Sequence, residues 1–126
     1  MSILTKICDA FSSRGHGWWQ SFAVAFNDDG FTVTETLRRK RSTNYSATWS
    51  SISAVCFQDG GMGSDVFHIY TSSASSPILV PVEAAGGNLF WLQLTERGLF
   101  PESISAQAVR SSSKSITLWW PPAAAR

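Results

Sequence analysis

Residues 45–82 read YSATWSSISAVCFQDGGMGSDVFHIYTSSASSPILVPV, and their pattern decides the fold. Ile52, Ala54 and Cys56 alternate with Ser53, Val55 and Phe57, a run rich enough in β-branched and aromatic residues to form a strand that is half buried or better. Asp59-Gly60-Gly61-Met62-Gly63-Ser64-Asp65 breaks it, because glycines adopt positive φ freely and aspartates bond their own backbone in turns. Residues 66–70 resume the strand, 72–77 interrupt it, and 78–82 return. This is the spacing of an antiparallel meander. Trp49 is expected at the start of the first strand.

Upstream, residues 18–26 are apolar and aromatic, and Asn27-Asp28-Asp29-Gly30 supplies hairpin chemistry. Phe31, Val33, Glu35 and Leu37 alternate with Thr32, Thr34 and Thr36, a half-buried strand that completes the hairpin. Ile3, Leu4, Ile7 and Phe11 fall at helical spacing behind Ser2, which predicts a short amphipathic helix, with 12–17 as linker. Downstream, the period changes from two to that of a helix. Residues 88–97 read as a helix capped by Asn88 and stopped by Gly98, with Phe90, Trp91 and Leu94 turned to the sheet. A second short helix is expected after Pro101, then a polar loop at 111–115, a last strand at 116–120 and a loose tail.

The chain of 126 residues is expected to be a single domain: 1–17 an N-terminal helix and linker, 18–120 a β core with a helix near 88–97, and 121–126 a tail. The expected class is α+β, mainly β, with about six or seven strands in a bent antiparallel sheet or partly open barrel capped by a helix. With 44% hydrophobic residues and a net charge of +1, disorder is excluded, and no global field draws in nucleic acid. Cys8 and Cys56 are too few for a disulfide scaffold and too isolated for a zinc site, which together with the lack of a secretory leader predicts a cytoplasmic protein with free thiols.

Catalytic, cofactor and metal patterns do not emerge. Gly61-Met62-Gly63 lacks the third glycine, the lysine and the following helix of a phosphate loop. His16 and His68 lack ligand spacing, and His68 reads as a hydrogen-bonded structural residue within its strand. Asp59, Asp65, Glu83 and Glu102 offer carboxylates that sequence alone cannot bring together. An enzyme using Asp59, Asp65 and His68 around the glycine loop is the least favoured reading.

Two features suggest binding. Arg38, Arg39, Lys40 and Arg41 form a run with no acid between Glu35 and Asp59. It serves either as a solvated hairpin tip or as a site for an acidic partner or anionic lipid. Trp18-Trp19 and Trp119-Trp120, read as strand residues, should each bury one ring and show the other, with Trp19 and Trp120 as candidate contacts and packing within the core as the equal alternative. An exposed edge strand can pair two copies, although the sequence does not tell which edge is free.

The order Gly30-Phe31-Thr32-Val33, Trp49 with Ile52 and Val55, Asp65-Val66-Phe67, Val80-Pro81 with Glu83-Ala84 and Gly86, Leu94, Phe100 and a strand ending at Trp119 resembles a widespread family of small bacterial proteins of uncharacterised function. It departs from that family at Gly98-Leu99-Phe100-Pro101 and in the serine-rich segment before the last strand. A tryptophan after a basic hairpin and a helix over the sheet also look like the pleckstrin-homology superfold, an analogy of fold that carries no function. The family resemblance supplies no catalytic residues to transfer, which leaves a non-catalytic module that binds another protein as the favoured reading. A specific alternative is an immunity or antitoxin-type inhibitor of a cognate toxin, and a third is a domain for anionic lipid.

Overall fold

A computed structural model describes residues 17–37, 41–60, 63–110 and 116–125. The expected N-terminal helix, the cations Arg38, Arg39 and Lys40, and the loop at 111–115 lie outside those residues. The fold is α+β and mainly β, with two antiparallel sheets that do not close on one another. The first sheet runs in the order β1 (Phe22–Phe26), β2 (Gly30–Thr36), β3 (Ser42–Thr48). The second contains β4 (Ile52–Gln58), β5 (Val66–Thr71), β6 (Ile78–Pro81) and β7 (Thr117–Trp120), in the order β6-β5-β4-β7. Helices α1 (Gly87–Glu96) and α2 (Glu102–Arg110) come between β6 and β7 in the chain.

The alternation in β2 behaves as the sequence requires: Phe31 and Val33 are buried, while Thr32 and Thr34 lie on the opposite, wetter face. Strand β5 repeats the pattern with Phe67 and Ile69 inside. These inward residues form an aromatic core with two centres. In one, Phe67 packs 5.5 Å from Phe57, 5.3 Å from Trp91 and 5.2 Å from Phe100. In the other, Phe90 lies 4.9 Å from Phe31 and 5.8 Å from Trp49.

Trp49 corrects the expectation that it opens a strand. It begins a 3₁₀ turn, Trp49–Ser51, at the joint between the two sheets. The reason is the cluster of bonds and contacts available there. Its N–H donates to Asp29 O at 3.1 Å, its indole Nε1 donates to Asn27 O at 2.8 Å, and the Arg97 guanidinium sits 4.4 Å above the ring. A buried indole whose N–H is satisfied and whose face carries a cation is held firmly. Trp18 and Trp19 likewise occupy a 3₁₀ turn, Trp18–Ser21, and not a strand. Gly17 and Gln20 close that turn, Gly17 N–H donating to the Gln20 side-chain oxygen and Gln20 N–H to Gly17 O, each at 3.0 Å.

Helix α1 starts at Gly87 behind a Gly86 cap, not behind Asn88. Gly86 has φ of +80°, and a Cβ there would lie 2.2 Å from Val24 O. That close approach accompanies a strap, in which Val24 N–H donates to Ala85 O at 2.8 Å and Ala23 bridges Ala85 in parallel. At the other end Gly98, with φ of +73°, lets the chain reverse so that Leu99 N–H reaches Leu94 O at 2.8 Å.

Helices α1 and α2 are joined through a buried hydroxyl. Ser105 Oγ accepts from Trp91 Nε1 at 3.0 Å, donates to Phe100 O at 3.1 Å and lies 3.1 Å from Thr95 Oγ1. Ser105→Ala is expected to cost about 1–3 kcal/mol, because it strands a part-buried indole N–H. Chemical denaturation of the two proteins would check this, and equal midpoints would show that the hydroxyl contributes nothing. After β7 the chain continues with a cis Trp120–Pro121 bond and a 3₁₀ turn at Pro122–Ala124.

Candidate functional site

Two open sheets have four edges, and this chain treats them unequally. The outer edge of β1 carries the Ala85 strap. Strand β6 is flanked by Pro77 and ends in Pro81, which cannot donate to a further strand. Strand β7 runs into Pro121-Pro122. Strand β3 differs: it has seven residues, no proline and no charge, and among the described residues it pairs only with β2. A long unguarded edge presents a row of unpaired N–H and C=O groups to any extended segment.

Both sides of that edge are hollowed. On the core-facing side, Phe22, Glu35 and Tyr45 meet Pro77, Ile78 and Leu79 around a groove of about 220 Å³. Tyr45 and Leu79 are 41% and 38% exposed there, with Glu35 supplying the one carboxylate. Toward the other end of β3, Ser46, Ala47 and Thr48 help line a shallower hollow of about 490 Å³ with Phe26, Phe31 and Asn27. Its shape follows from small side chains. Ala25, Thr32 and Ser46 stand side by side across the three strands, and Thr32 Oγ1 bonds Ser46 Oγ at 2.8 Å. A second cross-strand bond, Thr34 Oγ1 to Asn44 Oδ1 at 2.8 Å, continues this polar ladder.

Of the contacts suggested by the sequence, Arg41, Trp19 and Trp120 fall among the described residues. Arg41 is exposed just before β3, while Arg38, Arg39 and Lys40 lie outside the described residues. Trp19 is half buried against the edge of Trp18, and both rings approach Gly63 in the β4–β5 loop. On β7 the alternation holds: Trp120 packs on the core, and Trp119 takes the other face, 5.6 Å from Tyr70. Trp19 thus sits beside the β4–β5 loop whereas Trp120 packs on the core, which corrects the expectation that both rings are shown to a partner.

It does unite carboxylates. Asp59 and Asp65, at the two ends of the β4–β5 loop, share a side-chain hydrogen bond, with Glu83 close enough to add repulsion. Burial is the main influence that holds Asp65 above the usual carboxylate range, and the neighbouring Asp59 adds to it. The Gly60 N–H, donating to Asp65 Oδ1 at 3.0 Å, opposes the shift. Ser64 secures the loop beneath, donating to Asp65 O at 2.8 Å and accepting from Glu83 N–H at 3.1 Å. His68 makes the hydrogen bond expected of it elsewhere: its Nε2 lies 3.1 Å from Gln58 Oε1, and burial lowers its pKa. Cys56 is a buried free thiol whose pKa burial raises. Among the described residues no group of three or more His, Cys, Asp or Glu side chains is placed to hold a metal ion, and no helix is long and apolar enough to cross a membrane.

The Asp59–Asp65 pair has a consequence for stability. A carboxyl whose pKa is raised by folding contributes stability below its unfolded pKa and loses that contribution as pH rises through the folded value. Asp65→Asn keeps the acceptor for Gly60 and removes the charge. It should be more stable than the parent at pH 7 by a few tenths to about 1 kcal/mol, the small end reflecting solvent screening of a partly exposed group. The gain should vanish toward pH 3. Melting curves at both pH values test it, and a variant less stable at pH 7 would show that the two carboxyls do not repel.

Comparison with protein-family models, curated proteins and solved structures gives no match. The feature that sequence reasoning missed is the identity of the free edge. Within residues 42–48 only Tyr45 and Ala47 are apolar on the core-facing side, too short an alternation to mark the strand from Ser42 onward. The absence of proline and charge between Ser42 and Thr48 was the available signal.

Proposed function

We propose that this chain is a non-catalytic module, on a pleckstrin-homology-like scaffold, that binds another protein by accepting an extended segment along β3. The observation that carries the reading is the asymmetry of the edges: three are strapped or flanked by proline, and among the described residues nothing pairs with the outer edge of the seven-residue β3, which lies between two hollows. In strand addition, main-chain hydrogen bonds supply affinity and adjacent pockets select side chains. The groove of Phe22, Tyr45, Ile78 and Leu79 suits an apolar side chain, and Glu35 suits a basic one beside it. His68, bonded to Gln58, and Asp65, bonded to Gly60, are occupied in ways that favour a structural role over catalysis. The buried thiol of Cys56 supports a reducing, cytoplasmic setting. A cognate toxin is one partner class within this reading.

The test is affinity capture from a lysate of the native host with the tagged parent and with Asn44→Pro as baits. The backbone N–H of residue 44 points away from β2, so proline blocks the edge without removing a backbone bond internal to the sheet, at the cost of the one side-chain bond from Thr34. A stoichiometric partner held by the parent and lost by a well-folded Asn44→Pro is the expected result. A partner retained equally by both would overturn the edge as the site. Recovery by vesicles of phosphatidylserine, abolished when Arg38, Arg39, Lys40 and Arg41 are changed to Ala, would instead favour anionic lipid.

A further inference from the structure

Resting on that edge-pairing reading, we infer that the strand accepted by β3 is β3 of a second copy of this chain, paired antiparallel about a two-fold axis at Tyr45. The backbone sets the register. Trp49 donates its N–H to Asp29 O at 3.1 Å, and Leu37 donates to Arg41 O at 2.6 Å, so the odd-numbered residues from 41 to 49 bond inward to β2. Ser42, Asn44, Ser46 and Thr48 therefore turn their N–H and C=O groups outward. A two-fold axis satisfies these groups when Asn44 faces Ser46 of the second copy and Ser42 faces its Thr48, which sets Tyr45 against Tyr45. Centring on Tyr45 is the arrangement that overlaps all seven residues of the strand.

The side chains agree with that register. No residue of β3 is charged, so no like charges oppose one another along it. Asn44 and Ser46, already bonded to Thr34 and Thr32, meet again across the new junction and extend the same polar ladder. On the opposite face, the exposed Tyr45 ring gains cover from its mate beside the groove. Charge decides the direction. Arg41 comes opposite Trp49 of the second copy, whose N–H is bonded to Asp29 in the exposed Asp28-Asp29 turn. The symmetry brings the basic end of each β3 toward the acidic turn of its mate, twice. Parallel pairing would instead set Arg41 beside Arg41. The product is one continuous six-stranded sheet.

A strand edge buries little area, so the association belongs to the weak class and should be followed by sedimentation over about 1 to 500 μM protein. The expected result is a mass rising toward twice the 13.8 kDa of one chain. That rise should be lost in Asn44→Pro and weakened at least tenfold by reversing Asp28 and Asp29 to Arg, with recovery on adding Arg41→Asp. Register is tested separately in a chain carrying Cys8→Ser. Tyr45→Cys should cross-link to a dimer under mild oxidation, because the axis sets it against itself, whereas Thr43→Cys, which faces residue 47, should not. A parent that stays monomeric throughout the range overturns the inference. If Asn44→Pro nevertheless loses a different captured protein, the edge reading survives and only the identity of the occupant fails. A dimer that is indifferent to both Asn44→Pro and the charge reversal, or cross-links equally through residues 43 and 45, also overturns it.

Discussion

Phe67→Ala should destabilise the protein by about 3–5 kcal/mol, as truncation of fully buried aromatics does. The ring is 0% exposed and packs between Phe57, Trp91 and Phe100, so it touches the centre of the second sheet, the first helix and the interhelical turn at once. All three neighbours are large and anchored, Trp91 by its bond to Ser105, which leaves little freedom to collapse into the space. For a chain of this length the melting temperature should fall by roughly 10–20 °C. Phe67→Leu, which refills most of the volume, should lose much less. Comparable losses in the two variants would mean that the site relaxes freely and that the core is less tightly interlocked than its geometry indicates.

Gly86→Ala is the second large effect, expected at about 3 kcal/mol or more. Two costs add. An alanine at φ of +80° carries roughly 1–2 kcal/mol of backbone strain. Its Cβ also meets Val24 O at 2.2 Å, so either α1 or β1 must move and the Val24 to Ala85 strap is broken. Gly98 separates the two costs, because its φ is +73° yet a Cβ there meets nothing within 4 Å. Gly98→Ala should therefore show the strain alone, about 1–2 kcal/mol. Thermal melts of the pair decide it, and equal losses would show that the contact with Val24 carries no weight.

What could be read from the sequence depended on whether burial was one-sided. Phe31, Val33 and Phe67 alternate with polar residues because one face of each strand meets the core and the other meets water, and both strands were placed correctly. Helix α1 was legible to within a residue from Phe90, Leu94 and Gly98. Trp49 was not, since Thr48-Trp49-Ser50-Ser51-Ile52 contains no glycine or proline to mark the turn between the sheets. Its position is decided by Asn27, Phe90 and Arg97, which are distant in the chain. The same holds for the Gly86 cap, whose cause is the carbonyl of Val24. Of the candidate site, the basic run was visible, but the bare edge was not, because edge status depends on what fails to pair.

Strand β7 has a further consequence. Gln58 is opposite Val66 on one side and Thr117 on the other, so β4 gains its first neighbour through a short hairpin and its second only after β5, β6 and both helices have been traversed. Closing so long a loop is entropically costly before any contact repays it. In kinetic terms the fold should assemble in two stages, a meander from β1 to β6 forming first and β7 docking last. Mutations at Leu118 and Trp120 would then change the unfolding rate while leaving the refolding rate nearly untouched.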